Sequence, residues 1–334
     1  MARLFLLVPL LLLSGCSHFG YYAHAIQGQL ELSRRAIPLP QVLADAGTDP
    51  VVARQLKRAQ AAREFASREL HLPDNGSFRG YADLGRPFAL WNVFATPELS
   101  VEPVTWCFPV AGCVAYRGYF SEEAAREEAA ALAARGLDVY VAGIPVYSTL
   151  GWFDDPLLNT FIHYPEAELV GLIFHELAHQ VVYVPGDSAF NEAFASVVEE
   201  EGVKRWFARQ GEAGALARWQ QGRERKQAFQ ALLQRTRDRL AAAYAAAPDI
   251  DAARTAKAAI LREAEREYES LRAAWGGYTG YDRWFRSTPL NNAKLTSVGL
   301  HKLNATRARI PCDMIAFHAT KHVAWNVCTR HLSK

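Results

Sequence analysis

From Pro165 to Val182 the chain is apolar on nearly every side of a helical wheel. Leu169, Val170, Leu172, Ile173, Phe174, Leu177, Ala178, Val181 and Val182 leave no polar face, which predicts a helix buried all round. Inserted into it are His175, Glu176 and His179. A turn over Tyr183–Asp187 follows, and Asp187 or Ser188 can cap a second helix. Helical patterning then runs on to about Trp275. Residues 215–275 lack Gly and Pro except near Gly222 and Pro248, and Ala-Ala-Pro-Asp-Ile-Asp at 246–251 breaks them in two. The expectation is an antiparallel hairpin of long, charged, alanine-rich helices, a solvated arm.

Upstream the patterning changes twice. Residues 17–72 read as helical, with a strong start at Asp49-Pro50: Asp at the N-cap and Pro at the first helical position. Pro73-Asp74-Asn75-Gly76 makes a turn. Residues 88–120 are rich in Trp, Phe, Val and Tyr and read as strands. Ser121 caps a short helix over Glu122–Arg135 that ends at Gly136, and Asp138–Ile144 reads as a strand. Strand, helix, strand predicts a small βαβ-like unit.

Composition narrows the class. The 334 residues are 50% hydrophobic and 22% charged, ordinary for a globular chain with a sizeable core. A formal net charge of +2 with interspersed signs argues against nucleic acid or an anionic membrane surface as the main partner.

The N-terminus reads as a targeting segment. Met-Ala-Arg is followed by an apolar run, Leu4–Leu13, whose ten residues rise about 15 Å as a helix, half of a bilayer's hydrocarbon core. It has the length of a signal-peptide h-region. Leu13-Ser14-Gly15-Cys16 resembles the lipobox of bacterial lipoproteins, in which cleavage precedes the Cys and the Cys carries the lipid. The resemblance implies a signal peptide over 1–15 and an envelope anchor at Cys16, and Ser17 after it implies the outer membrane, facing the periplasm. Export makes the other cysteines disulfide candidates. Cys107 and Cys113 flank a Phe-Pro-Val-Ala-Gly turn and are the expected pair; Cys312 and Cys328 are a second, more open pairing. The tail from His301 is rich in His and Cys, yet His318-x3-His322 and Cys312-x15-Cys328 match no zinc-site spacing.

The chemistry is in His175-Glu176-Leu177-Ala178-His179. Four residues apart on a helix, the two imidazoles project from one face and reach one ion. Glu176 lies about 100° round from His175, with His179 at about 40°, so it flanks the ligand face and is placed to act as general base on a water at the metal. A catalytic zinc takes three protein ligands. His179 is expected about one turn before its helix ends and Glu192 about one turn after the next begins, which brings them to the same height in an antiparallel pair. Glu192 is the expected third ligand. Glu199, two turns on, is the rival ligand or an acceptor for a ligand imidazole N–H.

These residues resemble a family. His-Glu-Leu-Ala-His-Gln followed by Phe190-Asn191-Glu192-Ala193 looks like the zinc centre of gluzincin aminopeptidases, and the compact gap matches a bacterial family of predicted, lipoprotein-like aminopeptidases. Trp106-Cys107-Phe108-Pro109, Tyr116-Arg117-Gly118-Tyr119-Phe120, Tyr147-Ser-Thr-Leu-Gly151-Trp152-Phe153 and Asn291-Asn292-Ala293 also resemble that family, over most of residues 15–300. The resemblance implies one zinc ion, a peptide substrate and a Tyr as oxyanion donor, for which Tyr281 and Tyr278 are candidates. The gluzincin Gly-x-Met-x-Asn motif for the substrate amine is absent; Asp154 and Asp155 are candidate substitutes. The tail after Leu300 departs from the family pattern.

The expectation is an α+β, mainly helical fold: a zincin-like His-Glu-x-x-His helix on a second ligand-bearing helix, a small β-rich unit and a helical hairpin arm. Residues 16–300 form the metallopeptidase domain, with the hairpin at 215–275 within it and an atypical tail at 301–334. The expected function is zinc-dependent peptide hydrolysis, of aminopeptidase type. A zinc endopeptidase or other envelope zinc hydrolase, and a non-enzymatic lipoprotein with structural zinc, are the alternatives.

Overall fold

The structure is a computed structural model that describes residues 21–298 apart from 23, 109–111 and 185. Cys16, Cys312, Cys328, His318 and His322 therefore lie outside the described residues. The described chain is mainly helical with small sheets. Among the described residues no helix is long and apolar enough to cross a membrane.

The region expected to be helical from 17 to 72 divides into three helices. They are α1 (21–35, residue 23 aside), α2 (Leu39–Ala44) and α3 (Pro50–Glu69), with a two-residue strand β1 (Ile37–Pro38) between the first two. The prolines explain the break: Pro38 has no N–H to donate, and the residue before a proline is pushed out of the helical region. α3 starts as expected, with Asp49 accepting from the amides of Val51 at 2.7 Å and Val52 at 3.1 Å. β1 pairs antiparallel with β2 (Gly80–Ala82), which pairs in parallel with β8 (Leu157–Leu158).

The β-rich unit holds β3 (Leu90–Pro97), the hairpin β4 (Trp106–Phe108) and β5 (Gly112–Val114), β6 (Arg117–Tyr119), α4 (Glu122–Ala133) and β7 (Leu137–Ile144). The expected βαβ unit differs in one respect. The strands flanking α4 do not pair with each other; β3 lies between β6 and β7, antiparallel to both. The reason is burial. Every residue of β3 from Leu90 to Thr96 is buried, as befits the central strand of a covered sheet. α4 closes one side with Ala125, Ala129 and Leu132 against Trp91, Val93 and Ala95.

The first core surrounds α5 (Glu166–His179), which packs between α3 and α6 (Ser188–Gln210). Leu169, Val170, Ile173, Phe174, Leu177 and Ala178 are all 0% exposed, so the all-round apolar helix is in place. Its end differs from expectation: α5 stops at His179, a turn short of where Val181 and Val182 suggested. Asn191 is the cause, since its side chain accepts from the Val184 amide at 2.8 Å and donates to the Val184 carbonyl at 2.9 Å. This latch holds the connection non-helical and brings α6 back along α5.

The long helices α7 (Ala213–Ala246) and α8 (Ile250–Ala274) form the expected hairpin, with Asp249 capping α8 through the Ala252 amide at 2.8 Å. It is not a solvated arm. Phe229, Leu232, Leu233 and Leu240 of α7 meet Ala264 and Tyr268 of α8 and Phe285 of α9 (Asp282–Arg286) in a second core. The last helix, α10 (Asn292–Ser297), packs on β3 and β7 and ties that core to the sheet. Asn292 donates to the Glu98 carbonyl at 2.8 Å, and Asp138 accepts from Lys257 at 2.7 Å and from the Asn292 amide at 2.9 Å. Charged, alanine-rich composition concealed this, because the apolar residues sit three or four apart among the charges.

Candidate metal centre

Helix α5 supplies His175 and His179 from adjacent turns of one face. Asp187 caps α6 by accepting from the Phe190 amide at 2.9 Å, and Glu192 follows one turn later. The three side chains converge. The two imidazole Nε2 atoms are 3.2 Å apart. Glu192 places Oε2 at 3.4 Å from His175 Nε2 and Oε1 at 3.6 Å from His179 Nε2. One ligand atom from each lies within 4.8 Å of the others, a group that could hold a metal ion.

The chemistry of the donor set fits a cation. His175 Nδ1 lies 3.1 Å from Glu199 Oε2. A carboxylate accepts there, so the ring proton sits on Nδ1 and Nε2 presents a lone pair to the centre. Two imidazole nitrogens and a carboxylate oxygen facing one point repel one another unless a positive charge lies between them. The His₂Glu combination is that of a catalytic zinc site. Without a metal, a proton is what the centre can hold. Burial disfavours charge on both rings, but at His175 the bonds that its ring donates to Glu192 and Glu199 outweigh it and raise its pKa. Burial and the His175 charge lower that of His179. His179 Nδ1 is buried with no hydrogen-bond partner among the described residues, so its tautomer is not fixed in the same way.

Glu199 sits behind His175, away from the convergence point. Burial would raise its pKa, yet the His175 bond, Lys226 and Arg223 hold it lowered; Arg223 Nη1 of α7 approaches its carboxylate to 3.8 Å. The reach of Glu199 depends on Gly171, one turn before His175. A Cβ at Gly171 would stand 3.2 Å from Glu199 Cγ. Glu176 follows His175 on α5, and burial raises its pKa while the neighbouring His175 and Ser148 work against that.

Other candidates lie elsewhere. Tyr281 stacks on Phe229 with ring centroids 4.1 Å apart, in the second core. Its pKa is pushed up to about 12 by burial, with Tyr278 and Glu168 adding to it. Tyr278 lies under the Arg225 guanidinium at 4.5 Å. Asp155 is 2% exposed and turned into its own loop: it accepts from Thr149 N and Thr149 Oγ1, both at 2.8 Å, and from Ser148 Oγ at 3.3 Å. Asp154 is exposed, its carboxylate against Gly76. Cys107 and Cys113 are register partners across β4 and β5, and their sulfurs are bonded.

Several residues near the centre escaped the sequence reading. Asn191 latches the ligand helices. Tyr116 is close enough to Glu192 that the carboxylate, after burial, helps raise its pKa. Gln180, directly after His179, receives Asn75 Nδ2 at 2.7 Å. None carries a spacing signal, since each works through residues distant in sequence.

A model of the family described as "Putative aminopeptidase" matches residues 20–307. No curated protein and no solved structure is detectably similar to the chain.

Proposed function

Because the chain belongs to that aminopeptidase family, we propose that it is a zinc-dependent peptidase that removes N-terminal residues from peptides. The observation that carries the metal dependence is the convergence of His175 Nε2, His179 Nε2 and the Glu192 carboxylate. Those three residues would hold the ion, and the chemistry it would supply there is that of a Lewis acid, polarising a carbonyl and acidifying water. Glu192 contributes the negative charge of the donor set, and Glu199 orients His175 and keeps its Nε2 a lone-pair donor.

Glu176 is the general base. It takes the proton of the attacking water and returns it to the leaving amine. Its pKa, raised by burial, makes the carboxylate a stronger base than an ordinary one, which suits taking the proton from water. Tyr281 was the expected oxyanion donor. Its stacking in the second core supports a structural role there. The protein is exported and lipid-anchored through Cys16, so its peptides are those of the envelope.

Zinc content and hydrolysis of fluorogenic aminoacyl amides, compared between wild type, Glu176→Gln and Glu192→Ala, test this reading. Glu176→Gln is expected to keep zinc and lose turnover by at least about a hundredfold. Glu192→Ala is expected to lose zinc. Full activity in Glu176→Gln overturns the mechanism, and cleavage of N-terminally blocked peptides alone overturns the aminopeptidase assignment.

A further inference from the structure

Helix α1 packs on the body through one face and carries large apolar side chains on the other. The packed face is well fixed. The Tyr21 ring lies under the Arg117 guanidinium at 4.3 Å and meets the rings of Tyr119 and Phe108, each at 5.6 Å. A Cβ at Gly28 would collide with the Phe120 ring. Glu31 pairs with Arg86 at 3.1 Å, and Leu32 is buried in the first core.

These contacts fix which way the rest of the helix points. With Gly28 at 0°, Tyr21 and Leu32 stand at about 20° and 40° on the packed side. Tyr22, Ile26 and Leu30 then stand at about 120°, 160° and 200°, on the far side. They are 39%, 61% and 46% exposed, and Ile26 is the most exposed large aliphatic side chain among the described residues. Exposed Arg34 ends the row at the same four-residue spacing, with Gln27 and Ser33 exposed beside it. Single apolar side chains at a surface need no explanation. A continuous row on the outer face of a surface helix does, because that face is ordinarily polar.

The place of α1 in the chain says what the row meets. Tyr21 is five residues after Cys16, a span of at most about 18 Å. Acyl chains on Cys16 would sit in the bilayer, so α1 begins within that reach of the headgroups. From Tyr22 to Leu30 the row rises only about 12 Å more. Its make-up also suits that boundary: a tyrosine and an arginine hold their polar ends at headgroup level, and two aliphatic side chains between them enter the acyl region.

We propose that the Tyr22–Ile26–Leu30 face of α1 lies on the phospholipid bilayer that holds Cys16, and so seats the domain against the membrane at a second point. This rests on the lipid-anchor reading above and is independent of the peptidase chemistry. The attraction is apolar, since the chain's formal net charge is only +2 and Arg34 is the only charge in the row. One acyl chain alone gives only reversible attachment, and three side chains offer no more than that. The row therefore acts on a chain already tethered, where the tether keeps its local concentration at the surface high.

Photolabelling tests this. The lipidated full chain is reconstituted into vesicles of phosphatidylethanolamine and phosphatidylglycerol that contain a phospholipid with a diazirine in its acyl chain. Intact mass reports the lipid on Cys16, and fragmentation mass spectrometry locates the label. Wild type is expected to be labelled at Tyr22, Ile26 and Leu30, equally at low and high salt. The double variant Ile26→Gln, Leu30→Gln is expected to keep the Cys16 lipid and the melting temperature, and to lose at least about four-fifths of the α1 label. Both side chains are exposed, so the variant alters the surface and not the core. An unlabelled α1 in a chain whose Cys16 carries lipid overturns the proposal while the anchor stands. So does a double variant labelled as strongly as wild type. A wild-type dimer, trapped on vesicles by a short cross-linker and lost in the double variant, would make a second copy the occupant and overturn it too. If Cys16 carries no lipid, the anchor reading fails and this inference fails with it.

Discussion

His175 touches more of the centre than any other residue: His179 and Glu192 on Nε2, Glu199 on Nδ1. In the metal centre we propose, that position makes its protonation the switch for metal entry. Burial alone would lower its pKa, but Glu192 and Glu199 outweigh burial and raise it to about 10, while burial and the His175 charge push His179 down to about 4. The sign follows. At pH 7 metal-free His175 carries a proton that zinc must displace, and His179 carries none. Zinc uptake at pH 7 is expected to release about one proton. Calorimetric titration in buffers of different ionisation enthalpy measures it; a release of zero means that Glu192 and Glu199 do not hold His175 charged. The residue scale also explains why Glu199 and Glu192, both acids on α6, have different tasks. Seven residues apart, they lie two turns along one face, so one meets Nε2 at the end of α5 and the other meets Nδ1 from behind.

At the scale of elements, the centre depends on how closely α6 lies against α5. Gly202 sets that approach. A methyl group there would come within 2.5 Å of the Phe174 ring and 2.8 Å of Leu70 Cδ1, and both side chains are buried, at 0% and 2% exposure. Gly202→Ala would gain up to about 1 kcal/mol of helix propensity but incur about 1–3 kcal/mol of overpacking. Because Phe174 precedes His175, the strain falls on the ligand turn. The variant is expected to unfold at lower urea concentration than wild type and to bind zinc more weakly; an unchanged or higher midpoint would show that α5 and α6 can part at no cost. The connection between the two helices matters as much. Asn191 is 2% exposed and fixes Val184 by both backbone groups, so the residue before Glu192 sets the turn while Glu192 uses it.

The whole molecule has two large cores joined through a sheet. One surrounds α5 and carries the centre; the other lies between the hairpin helices and α9. Arg223 of α7 is a link between them, reaching Glu199 at 3.8 Å and Glu200 at 3.1 Å. The family match over residues 20–307 spans both. Cys16→Ser is expected to move the protein from the membrane fraction to the soluble periplasmic fraction and to abolish labelling by radioactive palmitate. Retention at the membrane without the cysteine would mean that something other than lipid holds it there.

The sequence determined what depends on neighbours along the chain. Residues three and four apart share a helix face whatever the fold, so His175, Glu176 and His179 could be assigned to one buried helix, Asp49 to a cap and residues 246–251 to a break between long helices. That Glu192 joins His175 and His179 in a group that could hold a metal ion was legible for a related reason: a short turn between two helices leaves few ways for the second to return. What the sequence could not determine depends on residues brought together from afar. β3 enters between β6 and β7 because burial, and not chain order, selects the central strand. The hairpin encloses a core because its sparse apolar residues meet those of α9 and the turn before α10. Asp155 takes bonds from Thr149 and Ser148 within its own loop because the fold buries its carboxylate there. Local spacing fixes which side chains share a face; only tertiary packing decides which face meets which, and that decision is what surrounds the His-Glu-x-x-His helix with the groups that orient it.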